Sequence, residues 1–83
     1  MRIDKYLKNT RIIKRRTVAN EACDHQRISV NGRPVKASYQ VAVGDIIEVG
    51  FGSRTLKVRV CSVQENVRKE EAALQYEVLE SAE

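Results

Sequence analysis

Arg27-Ile28-Ser29-Val30-Asn31-Gly32, followed by Arg33-Pro34-Val35, is where the hydrophobic period of this chain changes. Ile28 and Val30 flank Ser29 as a half-buried strand requires. Asn-Gly is the strongest two-residue hairpin signal, because both central positions of a type I′ turn need positive φ. A strand at 28–30, a tight turn and a returning piece from Arg33 are expected. Pro34 has no N–H to give a ladder, so it restricts that piece to a sheet edge or a turn exit.

Upstream of this point the spacing is helical. Ile3, Tyr6, Leu7 and Thr10 share one face, and Arg2, Lys5 and Lys8 share the other, which predicts a helix over about 3–10. Asp4 falls in its first turn, where a carboxylate suits the helix dipole. A second helix is expected from about Arg15 to His25, with Val18, Ala19, Ala22 and Cys23 as its buried stripe. Both are too short to be stable alone and must pack on each other and on a sheet.

Downstream, Val41 and Val43 lead to a turn at Gly44-Asp45. Ile46, Ile47, Val49 and Phe51 form a strand, Gly52-Ser53 turns the chain, and Leu56, Val58, Val60 and Ser62 alternate back. Lys69 to Leu74 suits a helical turn, and Tyr76, Val78 and Leu79 suit a final strand. The expected fold is α+β: two short helices packed on a short, mainly antiparallel sheet. Residues 1–83 are read as one domain, with a core motif over about 1–50 and a C-terminal hairpin and final strand over 51–80.

Charge is distributed unevenly. Of the formal net +4, residues 1–36 hold ten Lys/Arg against three acids, whereas 37–83 hold five against eight. That asymmetry points to a polyanionic partner. A membrane is disfavoured: no apolar run approaches the roughly 18–20 residues of a spanning helix, and the basic helices lack the Trp/Phe/Leu face of an interfacial anchor. No signal-peptide pattern follows Met1, and two distant cysteines, Cys23 and Cys61, suit free thiols in a reducing cytoplasm.

Candidates for bond-making chemistry are few. His25 stands beside Cys23 and Asp24, but Cys-x-His without a second pair is too little for a metal site. Cys23 lies on the expected buried stripe, away from any activating base. Glu70, Glu71, Glu77 and Glu80 suit a solvated face, and no glycine-rich phosphate loop is present. Neither catalysis nor a cofactor is expected. The basic residues say more. Arg11, Lys14, Arg15 and Arg16 lie between the helices and at the start of the second, where cations oppose the macrodipole at a cost of roughly 0.3–1 kcal/mol each. A phosphate docked at that helix start would offset the cost. Arg2, Lys5 and Lys8 widen the patch. Only Tyr6, Tyr39, Phe51 and Tyr76 are aromatic, so backbone and shape recognition of folded RNA suits the chain better than base stacking.

Four stretches in order, Arg2-Ile3-Asp4-Lys5-Tyr6-Leu7, Lys14-Arg15-Arg16-Thr17-Val18-Ala19, Arg27 to Gly32, and Val43-Gly44-Asp45-Ile46-Ile47, together resemble the S4 (alpha-L) RNA-binding domain. Lys69-Glu70-Glu71-Ala72-Ala73 with Tyr76 resembles the tail shared by two groups of stand-alone bacterial S4 proteins, heat shock protein 15 and the RqcP (YabO) group of ribosome-associated quality control. Lys5-Tyr6-Leu7 with Ile12 to Thr17 is more similar to the RqcP group. The resemblance implies an RNA surface of Arg2, Asp4, Lys5, Lys8, Arg11, Lys14, Arg15 and Arg16. In it Asp4 would either order Arg2 or accept a hydrogen bond from a base or ribose. It implies binding, as a monomer in the bacterial cytoplasm, to a large (50S) subunit through 23S rRNA and P-site peptidyl-tRNA, in support of an RqcH-type factor that adds a C-terminal alanine tail. Recycling of blocked large subunits, or service as an accessory module of an RNA-modifying enzyme, are the alternatives. Where this family usually has glycine the chain has Gln26, which leaves the turn before Ile28 open.

Overall fold

The residues that alternate from Ile28 onward meet in rows. In a computed structural model, which describes residues 1–82, five strands form a wholly antiparallel sheet of order β2-β1-β3-β4-β5. They are β1 (Ile28–Val30), β2 (Arg33–Pro34), β3 (Ile46–Phe51), β4 (Arg54–Val60) and β5 (Tyr76–Ala82). Ile28 pairs with Val49, Val30 with Ile47, and Ile47 with Val58, so one face of the sheet is aliphatic and buried. The opposite face carries the row Ser29, Glu48, Lys57 and Glu80 and the ion pair of Arg59 with Glu77 at 2.6 Å. Period-two alternation thus leaves one face wet and one dry.

The dry face is covered by α1 (Ile3–Asn9) and α2 (Arg16–Asp24). Ile3, Tyr6 and Leu7 of α1 and Ala19 and Cys23 of α2 join the strand residues in one core. Each fully buried aliphatic contributes about 1.5–3 kcal/mol, which offsets what a seven-residue helix lacks on its own. Thr10 is also buried, with its hydroxyl donating to the carbonyls of Tyr6 and Leu7. A 3₁₀ helix over Lys69–Gln75 returns the chain to β5, and the Tyr6 hydroxyl donates to the Gln75 carbonyl at 2.7 Å, tying α1 to it.

The two turn signals support each other. Asn31 (φ 52°) and Gly32 (φ 85°) make the hairpin turn expected of Asn-Gly. The Asn31 side chain also accepts from the Ile46 amide at 3.0 Å and donates to Asp45, whose carboxylate accepts from the Tyr39 hydroxyl at 2.9 Å and the Ala42 amide at 3.0 Å. Asn31-Gly32 and Gly44-Asp45 therefore act together to hold β1 against β3.

One expectation for α2 is corrected. Ala19 and Cys23 are buried and Ala22 is partly so, but Val18 is 48% exposed. The contact with α1 turns the buried stripe toward Ala19 and Cys23 and leaves Val18 beside Phe51, at the rim of a groove between α2 and the end of β3.

Gln26 keeps the left-handed geometry, with φ 59°. Its amide donates to Cys23 and that of Arg27 donates to Ala22, the paired bonds of a Schellman ending. A side chain there is dearer than none by about 1 kcal/mol. Gln26→Gly should therefore stabilise the domain by about 1 kcal/mol, read as a higher midpoint in urea with an unchanged slope.

Candidate RNA-binding surface

Arg16 and Asn20 are one helical turn apart and share a face of α2. Packing of Ala19 and Cys23 into the core brings that face to the first turn of α1, where Asp4 is only 2% exposed. Its Oδ2 accepts from Arg2 Nη2, Arg16 Nε and Asn20 Nδ2, each at 3.3 Å, while Oδ1 accepts from the Lys5 amide at 2.8 Å. Burial pushes the Asp4 pKa up. The Arg16 and Asn20 hydrogen bonds, the Arg16 charge and the Lys5 amide outweigh that and hold it below the usual carboxylate value. Asp4 is thus an anion locked between helices, and it orders both Arg2 and Arg16.

The two guanidinium groups are nearly half exposed. Each spends one N–H on Asp4 and keeps others for an external anion. With Asp4, Thr17, Asn20 and Glu21 they line an open concavity of about 460 Å³.

A second basic concavity lies at the far end of α1. Arg11 takes φ 62° and its amide closes on the Lys8 carbonyl, ending the helix and reversing the chain. Lys14 returns beside Lys8, so that Lys8, Asn9, Arg11 and Lys14, with Val67, line a hollow of about 330 Å³. Arg15 stands exposed at the N-cap of α2, which has neither a side-chain cap nor an acid in its first turn. Six of the eight residues singled out in the sequence therefore fall into two groups. Arg2, Asp4 and Arg16 form one, Lys8, Arg11 and Lys14 the other, and Arg15 lies in the connection. Lys5 is engaged differently, by an ion pair with Glu65, while Asn9 donates to the Glu65 carbonyl at 3.1 Å.

Two partners were missed in the sequence. Asn20 was legible in principle, as the i+4 neighbour of Arg16. Glu65 had no local signal. Among the described residues no group of three or more His, Cys, Asp or Glu could hold a metal ion. Burial, then the nearby charges of Asp4 and Asp24, raise the Cys23 thiol to about 11, so it stays protonated and inert at neutral pH. His25 is exposed at the end of α2. No helix among the described residues is long and apolar enough to cross a membrane.

Two helices on one face of an antiparallel sheet, with paired arginines ordered by a buried aspartate, define a small α+β domain with a cation-bearing surface. Residues 1–47 match the S4 domain family, and the chain belongs to it. Several curated relatives named RQC P-site tRNA stabilizing factor match nearly the whole chain. The one from Halalkalibacterium halodurans is 50% identical over 94% of this chain and 89% of its own. The one from Bacillus subtilis is 48% identical over 95% and 92%. Among solved structures, the trimeric heat shock protein 15 of Vibrio cholerae superposes with a TM-score of 0.87 at 25% identity, over 94% of this chain and 80% of that one. The resemblance to the RqcP group, with heat shock protein 15 as kin, is upheld.

Proposed function

We propose that the protein is a non-catalytic RNA-binding factor of bacterial ribosome-associated quality control, cytoplasmic and monomeric. It binds a large (50S) subunit that still carries peptidyl-tRNA, touching 23S rRNA and the P-site tRNA together. By holding that tRNA it supports an RqcH-type factor as it adds a C-terminal alanine tail. The basic side chains grip phosphates, and Asp4 acts as a positioning residue for Arg2 and Arg16. The names of the curated relatives, which speak of a P-site tRNA, support the setting.

The observation that carries the reading is the presence of two separate concavities that each present cations, Arg2 and Arg16 around the buried Asp4 in one and Lys8, Arg11 and Lys14 in the other. A protein of 83 residues covers little surface. Tight binding therefore needs two RNA partners at once, each raising the effective concentration of the other. Large subunits bearing P-site peptidyl-tRNA should be preferred over empty subunits and intact ribosomes. The check is to purify the tagged protein and quantify its RNA: abundant 23S rRNA and tRNA with little 16S is expected. Equal 16S recovery, or equally strong binding of empty subunits, would defeat the proposal.

A further inference from the structure

α2 carries charge against its own dipole at both ends. Arg15 and Arg16 stand at the N-terminus and Asp24 is the last helical residue, with no acid in the first turn and no base in the last. Phosphates would offset the arginines. They cannot account for Asp24, which repels them. Gln26, two residues on, holds a left-handed conformation that glycine would adopt at less cost. Neither choice serves stability, and both residues line the same groove.

That groove, about 570 Å³, runs between the C-terminal half of α2 and the chain leaving β2. Its volume lies in the roughly 300–1,000 Å³ range of sites that enclose small ligands. Arg2 and Asn20 line both this groove and the concavity around Asp4, so the two are continuous. Pro34 and Val35 supply apolar wall, and Lys36 stands on the same side. Asp24 and Lys36 are both exposed, and neither is paired within the described chain.

We infer that this groove receives one unpaired nucleotide of the bound RNA and reads its base through Asp24, with guanine preferred. The inference rests on the RNA-binding reading above. A carboxylate offers acceptors only. The Watson–Crick edge of guanine presents two adjacent donors, N1–H and the N2 amino group, which a carboxylate engages in a bidentate, charge-assisted pair. Adenine and cytosine offer one amino group beside an acceptor, and uracil offers one N–H between two carbonyls that a carboxylate repels. Arg2 and Lys36 are placed to hold the flanking phosphates, the apolar wall packs on the ring, and the Gln26 amide adds donors and an acceptor at the rim.

The test uses the intact protein and short uridine-rich single-stranded RNAs that differ at one central base (G, A, C or U), with affinity read by fluorescence anisotropy. The wild type should bind the G strand about tenfold tighter than the U strand. Asp24→Asn should abolish that preference while holding or raising affinity for the U strand, since a negative charge leaves a phosphate-binding surface. Arg16→Ala should weaken all strands alike and leave the preference intact. Equal, salt-sensitive binding of all strands by the wild type would overturn the base-reading groove and leave the RNA-binding reading standing. So would an equal gain for every strand in Asp24→Asn. No binding of any strand at low salt would also overturn the base-reading groove, whereas the RNA-binding reading falls only if folded ribosomal RNA and tRNA fail to bind as well.

Discussion

Raising salt from about 50 to 200 mM should weaken binding to ribosomal RNA by about 60- to 1,000-fold. Six cations, Arg2, Lys8, Arg11, Lys14, Arg15 and Arg16, are exposed on the two helices and their connection. Engaging about four to six phosphates releases the counterions condensed there, so log K falls against log salt with a slope of roughly −3 to −5. Lys5 stands outside this set because Glu65 already neutralises it. The check is a titration series at four or more salt concentrations. A slope near zero would show that the basic face is not the interface.

Asp4→Ala should be the most damaging single substitution on the proposed surface. The Asp4 carboxylate is buried and accepts from Arg2, Arg16, Asn20 and the Lys5 amide. Removing it leaves Asn20 and that amide without their acceptor and frees two guanidinium groups. The arginines can turn to water, which discounts the ionic part, so a loss of about 2–3 kcal/mol is expected. For a domain of this size that lowers the melting temperature by roughly 10–20 °C. Binding at a temperature where the variant is still folded should also fall, because Arg2 and Arg16 lose their shared anchor. Thermal unfolding and anisotropy separate the two effects. A variant as stable as the wild type would remove Asp4 from its structural role.

Acid should also destabilise the domain through Asp4. The folded pKa of Asp4 is depressed below its ordinary 3.8, so its contribution is present above about that pH. It disappears as the pH falls from there through the lower folded value. Asp4→Asn should flatten that part of the stability profile. A profile identical to wild type below pH 4 would refute the link.

How far the sequence reached is clearest at particular residues. Its local signals were short-range and strong: the period switch at Ile28, Asn31-Gly32, Gly44-Asp45, and a Pro34 that could only sit at an edge. Each is decided by φ/ψ preference or by side-chain alternation over a few residues, so each was legible without a fold. The order of elements and the uneven charge were legible for the same reason. The structure decided what lies next to what. Asn20 meets Asp4 across 16 positions and Glu65 meets Lys5 across 60, and no local pattern encodes either contact. Val18 lies outside the core because α2 packs through Ala19 and Cys23, and a stripe read from spacing alone has a width of about a quarter to a third of the helix. By its sequence position alone, Asp4 could either order Arg2 or accept from RNA. Burial between the two helices makes it the anchor of Arg2 and Arg16, because only packing determines whether a carboxylate faces water or the interior.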